Sequence, residues 1–155
     1  MASGGAWARA ALVMVAVIAL DQATKALVRS SVAIGDRDGV FPGVEIVHVR
    51  NEGVAFSRFS GGGTVVAVIV GAALLALLAY FVTHLDKPLV WLPTGMLLGG
   101  ALGNVVDRIR DGAVTDFIKL PGWPAFNVAD ISITCGVLVL LYVTERPRHA
   151  AASDA

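Results

Sequence analysis

The sequence holds a single cysteine, Cys135, in 155 residues, so no disulfide framework shapes it. Charge is scarce as well. Asp, Glu, Lys and Arg make up 15% of the chain and sum to zero, whereas a soluble domain carries roughly 25% charged residues. With neither net positive charge nor a basic cluster, nucleic acid is excluded as a partner. No His-Glu-x-x-His string occurs, and His48 and His84 stand without ligand spacing, so no metal and no cofactor are expected. A Gly-x-Ser-x-Gly context for a nucleophilic serine is missing, and so is a Gly-x-Gly-Asp string.

What the chain has in abundance is hydrocarbon: 56% of residues are hydrophobic and the mean hydropathy is +0.74. The apolar residues gather in four runs, about 10–28, 65–82, 89–107 and 128–144, each near the ~20 residues an α-helix needs to cross a bilayer. The first follows Arg9 and has the look of a signal peptide, but four spans are the economical reading. The expected fold class is an α-helical polytopic membrane protein, one membrane domain over 1–155 with four transmembrane helices. The polar link Thr83-His84-Leu85-Asp86-Lys87-Pro88 joins the second and third, with Pro88 suited to a helix start. Trp91, Trp123 and Tyr142 fit interfacial anchors, Cys135 a small packing residue, and 145–155 a flexible tail.

The segment 29–63 has structure of its own. Gly35-Asp36-Arg37-Asp38-Gly39 and Phe41-Pro42-Gly43 are turn chemistry, while Val44-Glu45-Ile46-Val47-His48-Val49 is β-branched and partly alternating, which predicts a small sheet. Val54-Ala55-Phe56-Ser57-Arg58-Phe59 reads as a short amphipathic, lid-like helix at the interface.

Against this background stand two acids, Asp116 and Asp130. An ionisable group in or beside a lipid-facing segment costs on the order of 2.5 kcal/mol or more, and so marks a functional site with a partner. With four alternating spans, Asp21 and Lys25, the 29–63 segment, Asn104, Asp107 and Arg108, the loop with Asp116, and Asn127 and Asp130 all fall on one face. Convergence at one surface suggests a site open to water. Counting basic residues would put that face in the cytoplasm, but several of them sit beside acids (Asp36, Arg37 and Asp38; Asp107 and Arg108; Arg110 and Asp111). Charge leaves orientation open.

Five strings, Asp21-Gln22-Ala23-Thr24-Lys25, Asn51-Glu52-Gly53-Val54-Ala55-Phe56-Ser57, Gly99-Gly100-Ala101-Leu102-Gly103-Asn104-Val105-Val106-Asp107-Arg108, Val114-Thr115-Asp116-Phe117 and Phe126-Asn127-Val128-Ala129-Asp130, resemble in order the motif set of bacterial lipoprotein signal peptidase, signal peptidase II. The resemblance implies an aspartic endopeptidase of the bacterial inner membrane. Such an enzyme cuts diacylglyceryl-modified prolipoproteins just before the lipid-modified cysteine. It also implies an extracytoplasmic 29–63 segment, a site near that face and cytoplasmic termini. Asp116 and Asp130 match the catalytic dyad. Asn51, Gly53, Asn104, Arg108, Asn127, Asp21 and Lys25 match site-supporting or substrate-binding positions.

Plainer readings stand beside these. Asp21 and Lys25 also make an i,i+4 helix pair, and Asp107 with Arg108 a charge network ending the third helix. Asn51 and Gly53 also suit a turn after the strand, and Asn127 a helix cap. Gly99, Gly100 and Gly103 read as close-packing positions. The implied partners are a lipid-modified prolipoprotein and membrane lipid, the protein acting as a monomer. A small proton-coupled transporter or channel subunit is the alternative. It is disfavoured because the polar groups collect at one surface and the second span carries no charge.

Overall fold

The computed structural model describes residues 2–53 and 62–145. Four helices and three strands follow one another as α1 (Ala2–Ser31), β1 (Arg37–Phe41), β2 (Val44–Asn51), α2 (Gly62–Thr83), α3 (Trp91–Asp111), β3 (Val114–Lys119) and α4 (Val128–Glu145). The predicted lid-like stretch 54–59 and the tail beyond 145 lie outside the described residues. Among the described residues, two helices are long and apolar enough to cross a membrane, Gly4–Ser31 and Val128–Glu145, and Gly71–Thr83 forms a shorter apolar stretch. α3 misses that mark because its glycines, Asn104 and the charged end Asp107, Arg108, Arg110 and Asp111 dilute its hydrocarbon.

α3 is the central helix, packed on α1 along one side and α4 along the other. Small residues allow this. A Cβ on Gly99 would lie 2.8 Å from Val17 of α1, and one on Gly100 would lie 2.6 Å from the Ala129 carbonyl of α4. Both approaches are closer than any side chain tolerates, so the expected packing role of these glycines is what the structure shows. Gly95 plays the same part against Ala10 and Val13. Outward faces are apolar, with Leu12, Leu27, Leu75 and Leu138 each more than 60% exposed, while Asp21, Lys25 and Asn127 are fully buried. Polar inside and apolar outside is the arrangement expected when the surrounding solvent is hydrocarbon.

The sheet is antiparallel in the order β1-β2-β3. Pro42 and Gly43 turn β1 into β2; proline supplies a fixed φ, and Gly43 a left-handed one of 82°. Four sequence expectations need correction. Arg37, Asp38 and Gly39 belong to β1 rather than to a turn, because β2 offers them a pairing edge. Asp116 lies in a strand rather than a loop: β3 pairs with β2, Val49 opposite Asp116 and Asn51 opposite Val114. Pro88 does not start α3. Leu89 takes a left-handed φ of 65°, which breaks helical continuity, and the helix begins at Trp91 with Pro93 in its first turn, where a missing N–H is harmless. Cys135 is exposed and so is not a packing residue.

Candidate functional site

Three pieces of backbone geometry bring the acids together. α3 ends at Asp111 on Gly112, whose φ of 71° is a left-handed stop that glycine adopts without penalty, and the chain turns directly into β3. Beyond β3, Pro121 and Gly122 reverse it so that Phe126 pairs with Ile118 through N–H···O bonds of 2.8 and 3.0 Å. Asn127 therefore emerges beside Asp116. α4 starts at the next residue.

Asn127 then does two jobs. Its Oδ1 accepts the Asp130 backbone N–H at 3.0 Å while an Asp130 carboxylate oxygen accepts the Asn127 N–H at 3.3 Å, a reciprocal capping box closing the first turn of α4. Its Nδ2 meanwhile donates to Asp116 at 2.7 Å and to Asn104 Oδ1 at 3.2 Å. The cap expected from the sequence is present, and the same side chain reaches Asp116. Asn51 is similar. Its Oδ1 accepts the N–H of Gly53 (φ 76°) in a turn after β2, and its Nδ2 donates to the other Asp116 oxygen at 2.9 Å.

Asp116 is 3% exposed. Burial pushes its carboxyl up to about 6 from an ordinary 3.8. The Asp130 charge adds to the rise, whereas hydrogen bonds from Asn51 and Asn127 and the Lys25 charge pull it down. Desolvation wins because the amide donors are neutral and only partly replace water. Asp130 is half-buried and accepts Asn104 Nδ2 at 2.9 Å.

Behind the acids lies a buried ion cluster. Lys25 Nζ reaches Asp21 at 2.8 Å, Asp107 at 2.9 Å and Asn104 Oδ1 at 2.9 Å, so its three N–H donors are all used. Asp21 also accepts the Ala129 N–H at 2.9 Å, tying α1 to the open first turn of α4. Asp107 accepts the Thr115 N–H at 3.1 Å, tying α3 to β3. Removing one partner from such a cluster strands a buried charge and costs roughly 3–5 kcal/mol. Asp21 and Lys25 are thus the predicted i,i+4 pair and also part of the site's wall. Arg108 is exposed and donates to the Asn104 carbonyl of its own helix at 3.3 Å, touching neither acid.

Sequence reasoning missed Gln22, whose amide donates to Asp21, Asp107 and the Gly103 carbonyl, and Arg29, which faces Asp107 and donates to Thr115 Oγ1 at 3.2 Å. The signal was present. Arg29 follows Lys25 by four positions, on the same helix stripe, and Gln22 lies three before Lys25. His48 is structural: its Nδ1 is 2.8 Å from the Val32 carbonyl.

Comparison with known proteins places the chain in a family. The sequence profile of the family described as Signal peptidase (SPase) II matches residues 13–145. The lipoprotein signal peptidase of Halothermothrix orenii is 35% identical over 88% of this chain and 96% of its own length. That of Anaplasma phagocytophilum is 37% identical over 88% and 92%, and that of Solibacter usitatus 39% over 88% and 90%. Among solved structures, a bacterial membrane enzyme determined by the in meso method at 1.9 Å superposes with a TM-score of 0.76 at 33% identity, covering 90% of this chain and 94% of that one. The chain belongs to the signal peptidase II family of proteases.

Proposed function

We propose that this protein is an aspartic endopeptidase that removes the signal peptide from diacylglyceryl-modified bacterial prolipoproteins, cutting immediately before the lipid-modified cysteine, with Asp116 and Asp130 as its catalytic dyad. The observation that carries the reading is Asn127, which bonds both acids at once. Two neighbouring carboxylates do not both ionise readily, so the pair retains one proton into mildly acidic solution, in keeping with an Asp116 carboxyl raised to about 6. The ionised member takes a proton from the attacking water. Its protonated partner hydrogen-bonds the scissile carbonyl, and the roles reverse to protonate the leaving amine. Asn51, Asn104 and Asn127 hold the carboxylates in register for this exchange. Gly53 and the exposed Arg108 border the place where substrate would approach.

In the same reading all four helices span the bilayer, α2 and α3 completing a bundle whose apolar outer faces support immersion. The sheet and dyad lie at the extracytoplasmic face, both termini are cytoplasmic, and one copy suffices. The test is cleavage of a diacylglyceryl-prolipoprotein by the purified full chain in detergent, with the product mapped by mass spectrometry. A single cut before the modified cysteine is expected, and a precursor lacking lipid should be cut at least ~10-fold more slowly, since an acyl chain contributes about 0.8 kcal/mol per buried CH₂. Equal processing of both precursors would remove the lipid from the recognition, and no cleavage of either would remove the function.

A further inference from the structure

The reaction as written makes no use of Lys25, a fully buried cation set behind the acids. We propose that Lys25 is a positioning residue of the dyad: its ammonium fixes the Asn104 side chain in one orientation, so that the Asn104 amide can only donate to Asp130. The inference rests on the dyad reading and follows from counting donors and acceptors.

An asparagine side chain presents an acceptor at one end and donors at the other, and nothing in its shape decides between them. At Asn104 the neighbours decide. The end facing α1 meets Lys25 Nζ at 2.9 Å, a group with donors and no acceptor, so that end must be oxygen. The other end must then be nitrogen, and it lies 2.9 Å from Asp130 Oδ1. Asn127 Nδ2 also approaches Asn104 Oδ1, but at 3.2 Å, and its shorter bond of 2.7 Å goes to Asp116. Lys25 is therefore the stronger of the two constraints. The lysine is itself immobile, held by Asp21 from its own helix and by Asp107 from α3 at 2.8 and 2.9 Å.

With Lys25 gone, Asn104 can turn over and offer its oxygen to Asp130. Only a protonated carboxyl satisfies that oxygen, so the pair would hold its proton to higher pH. Among the described residues, other charges around the dyad are few. From α1 come Lys25 and, behind it, Asp21 and Arg29; from α3, Asp107, Asp111 and the exposed Arg108; from β2, Arg50, which bonds the Asp111 carbonyl, and just after that strand exposed Glu52. β3 and α4 contribute the two acids themselves.

The test is the pH profile of kcat/KM on lipid-modified precursor, using full-length protein in detergent. Lys25→Gln combined with Asp107→Asn removes one positive and one negative charge together, so the cluster keeps its net charge and the amide orientation is the main thing changed. Both limbs of its profile should move to higher pH by about one unit, the size of shift a hydrogen bond to a carboxylate commonly produces. A folded double variant whose limbs coincide with the parent's, whatever its kcat, would show a purely structural lysine and overturn the proposal. Should that variant fail to fold, Lys25→Gln combined with Asp21→Asn, which likewise removes one positive and one negative charge, carries the test with the same two outcomes. Asp130→Asn is run alongside. If it cleaves normally the dyad reading itself is wrong, whereas an inactive Asp130→Asn with unmoved limbs in the lysine variant removes only the role of Lys25.

Discussion

The two ends of the helix bundle share α1, α3 and α4 and solve opposite problems. At the tail-side end, α1, α2 and α4 and the residue before α3 contribute an apolar cluster of Ala6, Ala10, Phe81, Val143 and Val90, with Trp7 set edge-on to Phe81 at 4.8 Å. At the other end α1, α3 and the start of α4 enclose Asp21, Lys25, Asn104, Asp107 and Asn127, all buried. Hydrocarbon needs only shape and volume from its neighbours. Buried charge needs a partner for every donor and acceptor, and here each of Asp21, Lys25, Asn104 and Asp107 is bonded to another helix or strand. The polar end is thus specified by geometry, as the proposed dyad of Asp116 and Asp130 requires. Asp116, buried with its carboxyl raised to about 6, is held at this end against the cost of its own desolvation.

The comparison can be broken most severely at the acids. Asp116→Asn and Asp130→Asn should each lower cleavage by ~10³-fold or more, given the 10²–10⁴ typical of acid–base groups, while the protein still elutes and melts as a folded species. Next in size is the seam joining the ends. Gly100→Val places side-chain carbon against the Ala129 carbonyl, 2.6 Å from the Cβ position, and should lower stability by about 1–3 kcal/mol and activity with it, read by thermal melting in detergent.

A subtler effect sharpens the contrast. A buried acid whose folded pKa lies above its unfolded one stabilises the fold at low pH, and that contribution fades as pH rises toward about 6. Asp116→Asn removes this dependence. Its stability relative to the parent should therefore grow by about 1–3 kcal/mol between pH 4 and pH 7, measurable as the difference in melting temperature across that range. Smallest is the effect of the apolar end on chemistry: Val143→Ala should cost about 1–2 kcal/mol of stability and leave kcat/KM at the parent's value.

Much of this was legible in the sequence because cost is legible. Acids, amides and a lysine in a hydrocarbon-rich chain have few permissible places, and alternation of four runs puts Asp21, Lys25, Asn104, Asp116, Asn127 and Asp130 at one end. Helix centres follow from apolar runs, and β2 from its β-branched alternation. What escaped was set by tertiary pairing. β1 and β3 have little strand signature of their own; Arg37-Asp38-Gly39 reads as a turn until β2 lies beside it, and the strand role of Asp116 depends on β2 reaching it from more than sixty residues away. Leu89 breaks the entry to α3 at a position where no glycine advertises it. Gln22 and Arg29 escaped because a polar residue near a helix end has an ordinary explanation in solvent, and only the structure shows that these face inward.

One residue joins the two halves of the account. Asn127 caps α4 and holds both acids, so its removal should separate stability from chemistry. Cleavage of lipid-modified precursor by Asn127→Ala, set beside its melting temperature, is the direct measurement. Losing the cap should cost about 1 kcal/mol, and the loosened dyad should lower kcat/KM by about 100-fold, the penalty for an ångström-scale misplacement of reacting groups. A folded Asn127→Ala protein that cleaves at the parent's rate would contradict the claim that this asparagine holds Asp116 and Asp130 as one catalytic unit.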